Sequence, residues 1–302
     1  LYKVLDKARE ERGGISFESE EAKFIFNAER RIERIEQTQR NDAHKLIEEC
    51  MIMANISAAR FVEKAKEPAL FRIHDKPTTE AINSFRSVLA ELGLELPGGN
   101  KPEPRDYAEL LESIADRPDA EMLQTMLLRS MKQAIYDPEN RGHFGLALQS
   151  YAHFTSPIRR FPDMMVHRLV TRYLSGGRTA SETKYEDLCV HSSSMEQIAA
   201  NAERASIKYK QVEFMSERLG QTYDGVISGV TEWGLYVELN ENKCEGMIPI
   251  RDLDDDYYEF DEKNYCLRGR RKNRTYSLGD VITIKVARAN IEKKQLDFAL
   301  VE

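Results

Sequence analysis

Arg159 and Arg160 come straight after Ser156-Pro157-Ile158, inside the run His153-Phe154-Thr155-Ser156-Pro157-Ile158-Arg159-Arg160-Phe161-Pro162-Asp163, which continues to Val166-His167-Arg168. Pro157 presets its own φ and pushes Ser156 out of the α region, so the paired guanidiniums leave a defined bend instead of a slack loop. A guanidinium is a planar fork of donors that stays charged at every relevant pH, and it can hold a phosphate bidentately. The chemistry suggested is contact with a phosphoryl group; the alternative is a helix N-terminus carrying solvated arginines. Glu48 and Asn55 form a second pairing, seven residues apart in a stretch from Ala43 to Ala65. There Leu46, Ile47, Cys50, Met51, Ala54, Ala58, Phe61 and Val62 recur at intervals of three and four, as on a core-facing helix. Two helical turns return to nearly the same face, so a carboxylate and an amide line one wall, or else form a helix flank in water.

The elements that position these residues are mostly helical up to Leu219. Helices are expected over 1–12 (ended by Gly13-Gly14), 43–65, 78–92, 107–115, 120–135, 164–174 and 185–219, with a loop at 97–104. Ile15-Ser16-Phe17-Glu18 alternates like a short strand, and a second, mixed run surrounds Phe24-Ile25-Phe26. From Gly220 the period becomes strand-like, with strands expected at 222–230, 234–239, 244–250, 281–288 and 295–300. Met122, Met126 and Met131 are expected to pack a core.

Composition sets bounds on the function. No apolar stretch reaches the roughly eighteen residues of a membrane span, charged residues make up 31% of the chain, and mean hydropathy is -0.56. The four cysteines, Cys50, Cys189, Cys244 and Cys266, are scattered, with no CxxC pair and no histidines at zinc-ligand spacing. A soluble cytoplasmic protein with reduced thiols is expected. No signal peptide precedes Leu1, which already reads as helix, so the chain reads as the C-terminal part of something longer. The net charge of -7 speaks against a polyanion partner, but its distribution is uneven. Arg268, Arg270, Arg271, Lys272 and Arg274 form a basic run, whereas Asp252 to Glu262 is acidic and reads as a flexible surface loop.

From Gly142-His143-Phe144-Gly145-Leu146 through His167-Arg168 the sequence resembles the signature of the RNB family of exoribonucleases. Phe17, the Glu48-Glu49-Cys50-Met51-Ile52-Met53-Ala54-Asn55 helix, the signature and a terminal strand-rich region come in family order. The resemblance implies an α+β chain: an incomplete, mainly helical RNB catalytic domain over 1–217 (signature 142–168, helical extension 178–217), then a five-stranded OB-fold β-barrel of S1 type over 218–302. It also implies processive hydrolysis of RNA from the 3′ end to nucleoside 5′-monophosphates, with Mg2+. By resemblance Arg159 is the catalytic contact to the scissile phosphate, Phe17 caps the terminal base stack, Glu48 touches a ribose, and Glu203 lies near the same nucleotides.

In the S1-type region, Trp233 and Tyr236 fall where family members stack bases; the alternative places both rings in the core. Trp233, the only tryptophan, sits in a Glu-Trp-Gly turn, which favours stacking. Arg268, Arg270 and Arg271 would neutralise phosphates, while Pro249 stands where many members carry histidine. The family's metal-binding aspartates come from an Asp-rich loop that does not precede Phe17 here, and Asp252 to Asp256 is too far along the chain to replace it. No metal ligand is expected in this chain. The expected partners are single-stranded RNA 3′ ends, structured RNA, and an N-terminal half of the same enzyme. The rival readings are a non-catalytic single-stranded RNA-binding protein and the RNA-binding half of a split enzyme.

Overall fold

Gly13, at φ 79°, ends helix α1 (Tyr2–Arg12), and the N–H groups of Gly13 and Gly14 return to the carbonyls of Glu10 and Arg9. This left-handed stop, free of a Cβ penalty in glycine, is the termination the Gly-Gly pair predicts. In this computed structural model, residues 1–16, 21–38, 41–66, 68–117, 119–177, 182–261 and 266–301 are described. The described chain forms two units, one built from residues 1–17, 40–116 and 124–199, the other from 18–39, 117–123 and 200–302.

The first unit contains α1, α2 (Asp42–Lys64), β3 (Phe71–Ile73), α3 (Thr79–Glu91), α4 (Pro104–Ile114), most of α5 (Ala120–Ser130), β4 (Ile135–Asp137), α6 (Phe161–Leu174) and most of α7 (Glu182–Ser216). Its core gathers Ala58, Ala59 and Val62 of α2 with Phe71, Ile73, Tyr136, Val166, Leu169 and Cys189. Asn41 caps α2 by accepting from the N–H groups of Ala43 and His44. Two expectations are corrected here. Residues 14–16 are not a strand, since Ile15 N–H instead donates to the Gly145 carbonyl at 2.8 Å; Phe17 and Glu18 lie outside the described residues. Helix α5 stops at Ser130, and Ile135–Asp137 pairs antiparallel with β3. Three-residue strands are too short to show a period, so β3 and β4 have no signature in the sequence.

The second unit opens with an antiparallel pair, β1 (Glu21–Phe26) and β2 (Ile32–Thr38), of which only the first was legible. Beyond α7 come β5 (Thr222–Thr231), β6 (Gly234–Leu239), β7 (Glu245–Pro249), β8 (Tyr258–Asp261), β9 (Cys266–Gly269), β10 (Thr275–Ser277), β11 (Val281–Asn290) and β12 (Gln295–Leu300). Pairing runs β11-β12-β7-β6-β5 and from β5 back to β11. Four of these contacts are antiparallel ladders of five or six residue pairs, whereas β12 meets β7 through one parallel pair, Asp297 with Met247.

The expectation of a terminal region built from five strands alone is corrected by these findings. Beyond α7 the described strands number eight: three of them (β10-β9-β8) form a separate antiparallel sheet, and the ring of the other five closes at β12–β7 through a single parallel pair. The extra strands escaped the sequence because they are only three or four residues long, too short for a period of two to show.

Candidate functional site

Arg159 stands on a tight turn whose base is tied down from both sides. The Ser156 carbonyl accepts from the N–H groups of Arg159 (3.3 Å) and Arg160 (3.0 Å). Asp163, 0% exposed, accepts through one oxygen from Ser156 N–H (2.7 Å) and from the Arg160 guanidinium (2.9 Å). Pro162 in the first turn of α6 supplies the fixed φ that starts the helix at Phe161, three residues earlier than expected. The tip is free: Ile158 is 102% exposed, and the Arg159 guanidinium has no hydrogen bond or ion pair among the described residues. Arg160, by contrast, is paired and half-buried. The two arginines that look alike in sequence therefore differ, one held inward and one offered outward.

Asn55, 3% exposed, anchors the strand of chain leading into this turn. Its side chain donates to the Tyr151 hydroxyl and accepts from Phe154 N–H, both at 2.9 Å. Glu48 is only half-buried and lies 3.7 Å from Arg9, whose guanidinium also bonds the buried Glu49 at 2.9 Å. The expected shared wall of Glu48 and Asn55 is thus not formed, because Asn55 is consumed in holding the turn. Seven residues also separate the two by about 10 Å along the helix axis, too far for one small ligand group.

Around the turn runs a file of rings in edge-to-face contact: His74, His143, Tyr151, His153 and Tyr136, with successive centroids 5.1–5.8 Å apart. Burial, reinforced by the charges of Arg160 and Arg72, pushes the His153 pKa down to about 2; burial, with His74 and Arg72, pushes that of His143 to about 3. Both imidazoles are therefore neutral framework at ordinary pH. His153 bonds the Tyr136 hydroxyl (2.9 Å), and His167 stacks on Phe154 at 3.9 Å while bonding its carbonyl. Asp163 and these rings are what the sequence reading missed; an acid in a first helical turn after Pro162 was the one visible signal.

In the second unit, Trp233 is 67% exposed in the turn between β5 and β6, outside the core. Tyr236 is half-buried on β6, its ring lying over Gly229 of β5. Pro249 ends β7 and is buried, paired with Gly234. Arg268 is exposed on β9; Arg270 pairs with Glu259 and lies 5.5 Å over the Tyr257 ring; Arg271 is exposed in the following turn. The acidic run is not a flexible loop. Asp256 accepts from the backbone N–H groups of Tyr257, Arg271 and Lys272, and Asp255 pairs with Arg274 and bonds the Tyr258 hydroxyl. Acidic and basic runs were read as independent, yet the β8–β10 sheet brings them together and the carboxylates shape the basic turn. Glu203 is exposed on α7. Phe17 lies outside the described residues.

Among the described residues no three His, Cys, Asp or Glu side chains are placed to hold a metal ion, so the residues present do not fit the expected Mg2+. All four cysteines are unbridged, and no described helix is long and apolar enough to cross a membrane.

Two family models match the chain: the RNB domain over residues 1–176 and the S1 RNA binding domain over 217–300. The first covers more than half of the 302 residues. The chain belongs to the RNB family. Ribonuclease R of Escherichia coli is 65% identical over 313 residues, matching all of this chain and 38% of that protein. Ribonuclease R of Vibrio cholerae is 48% identical, again over all of the chain and 38% of the relative. The chain thus spans well under half the length of these curated relatives. Among solved structures, Mycoplasma genitalium RNase R in complex with ribose methylated single-stranded RNA superposes with a TM-score of 0.93 at 26% identity, over 99% of this chain and 48% of that one. Yeast Ssd1, described as a pseudonuclease, shares the fold with a TM-score of 0.61 at 22% identity, over 76% of this chain and 29% of that one. Arg159, Glu48, Asn55 and Asp163 fall within the RNB match, Trp233, Tyr236 and the basic run within the S1 match, and Glu203 between them.

Proposed function

We propose that this chain is the RNB and S1 portion of a processive hydrolytic exoribonuclease that degrades RNA from its 3′ end to nucleoside 5′-monophosphates. The observation that carries this reading is the 65% identity with Escherichia coli ribonuclease R over the whole chain. RNA as the partner is supported by the S1 match and by the M. genitalium relative held with single-stranded RNA. The proposed division is RNB to residue 217 and S1 from 218, in a cytoplasmic enzyme, in keeping with four unbridged thiols.

In this reading Arg159 meets the scissile phosphate. Its guanidinium, unpaired among the described residues and carried on a pinned turn, needs no rearrangement to follow charge as it builds on the transferring oxygens, which is where preorganised donors act most strongly. Phe17 caps the terminal base, and Glu48 and Glu203 contact the last nucleotides. Trp233, exposed, and Tyr236 offer sequence-tolerant stacking. Arg268 and Arg271 supply phosphate neutralisation, and Arg270, tied to Glu259, supplies less. Mg2+ would be held by residues from the rest of an enzyme of the relatives' length, since no described group here fits it.

The second reading, a non-catalytic RNA-binding protein or the RNA-binding half of a split enzyme, draws on the same missing ligand group and on the fold shared with a pseudonuclease. The test is the full-length enzyme with Mg2+ and a 5′-labelled single-stranded oligonucleotide. Stepwise shortening with release of 5′-mononucleotides, abolished in Arg159→Ala, is expected. RNA that quenches Trp233 emission yet is never shortened would favour the binding protein, and neither response would sink both readings.

A further inference from the structure

We propose that Asp163 is a positioning residue for Arg159, an inference that rests on the phosphate-contact reading of Arg159. Its carboxylate is wholly buried at the first turn of α6, and one oxygen receives both Ser156 N–H (2.7 Å) and the Arg160 guanidinium (2.9 Å). Those two residues bracket the turn: Ser156 opens it and Arg160 closes it, with Pro157, Ile158 and Arg159 projecting between them. Among the described residues no hydrogen bond or ion pair fixes the side chains of the projecting tip, where Ile158 is fully exposed. The direction of Arg159 is therefore set at the base, and Asp163 is the group that joins both ends of the base. An uncharged acceptor would satisfy Ser156 N–H, but a carboxylate also holds the adjacent guanidinium inward by charge, which keeps Arg160 from competing with Arg159 for the same phosphate.

Among the described residues the carboxylate's other oxygen has no hydrogen-bond partner although it is buried, and the same holds for Arg160 Nε and Thr155 Oγ1. A carboxylate kept buried with half its acceptor capacity unused is costly for stability alone. Such an arrangement persists where the local geometry is worth more than the energy it forgoes. The α6 N-terminus, whose free N–H groups favour negative charge, offsets part of the cost.

The experiment is a double-mutant cycle in the full-length enzyme: Asp163→Ala, Asp163→Asn, Arg159→Ala and the Asp163→Ala/Arg159→Ala pair. It is read by single-turnover cleavage at saturating RNA and by hydrogen exchange of the 153–160 backbone. Asp163→Ala should lower the single-turnover rate by about a hundredfold, the size expected for a misplacement of about 1 Å, with little change in KM. Asp163→Asn, which keeps an acceptor for Ser156 N–H, should recover part of that rate. In the Arg159→Ala background, Asp163→Ala should cost nothing more, because a residue acting through Arg159 has nothing left to position. Additive losses would overturn the proposal, as would unchanged exchange at the Ser156 amide. If Asp163→Ala fails to fold, Asp163→Asn carries the same cycle. A parent enzyme that does not cleave RNA refutes the exoribonuclease reading instead; the cycle is then read in RNA affinity together with the same exchange measurement, and additive affinity losses or an unmoved Ser156 amide would again overturn the positioning role.

Discussion

Replacing Asn55 by alanine should loosen the approach to the Arg159 turn by an amount that the hydrogen bonds set. Asn55 is 3% exposed and serves two groups, donating to the Tyr151 hydroxyl and accepting from Phe154 N–H, each at 2.9 Å. Alanine leaves both without their partner inside the first unit. A buried polar group left unsatisfied costs about 1–3 kcal/mol, so Asn55→Ala should destabilise by about 2–6 kcal/mol, with the lower end reached if water enters the vacated space. Tyr151→Phe, which leaves Phe154 N–H served but orphans the Asn55 amide N–H, should cost about 1–3 kcal/mol. The double variant should fall short of the sum, since the Tyr151 hydroxyl is no longer there to be orphaned. Because the chain has two units, a single unfolding transition is not assured, and hydrogen exchange at the Phe154 amide is the suitable assay, since it reports the local opening free energy. A change at Phe154 within about 0.5 kcal/mol, the range of an ordinary surface substitution, would show that these groups are solvated and that Asn55 does not hold the turn.

Arg159→Lys in the full-length enzyme keeps the charge but loses the fork, and should slow turnover by roughly a hundred- to a thousandfold, about 2.7–4 kcal/mol, with much less effect on RNA affinity; near-normal turnover would make the residue structural. His143 and His153, with pKa values held down to about 3 and about 2, stay neutral when folded and titrate near 6.5 when unfolded. Their contribution is fully present above pH 6.5 and is lost as pH falls from there toward 3, by up to about 1.4 kcal/mol per pH unit for each histidine. Urea midpoints between pH 7 and 5 should therefore drop for the parent and drop less for His153→Gln; equal slopes would refute the buried neutral imidazole. Gly246→Ala would place a Cβ 2.5 Å from the Phe298 ring beside the single β12–β7 pair, and should destabilise by about 1–3 kcal/mol through overpacking, with amide protection of β12 lost first; a neutral result would mean that the seam has room to spare.

The residues themselves determined the long amphipathic helices, the change to strands after Gly220 and the Ser-Pro-Ile-Arg-Arg turn. Each depends on a local cause: a 3.6-residue period, a glycine stop, or a proline's fixed φ. The signature and its family order also made the RNB membership legible. Tertiary structure alone decided which arginine faces outward, because Arg159 and Arg160 differ only in that buried Asp163 captures the second. It likewise took Asn55 away from Glu48 and spent it on Tyr151 and Phe154, nearly a hundred residues away in sequence. The β8–β10 sheet was invisible because strands of three or four residues carry too short a period to read, whereas β7 and β12 were legible as strands but their single parallel pairing is set only when folding brings them together. Local chemistry is written in neighbouring residues, whereas the direction of a side chain and the state of a buried charge depend on groups that only folding brings near.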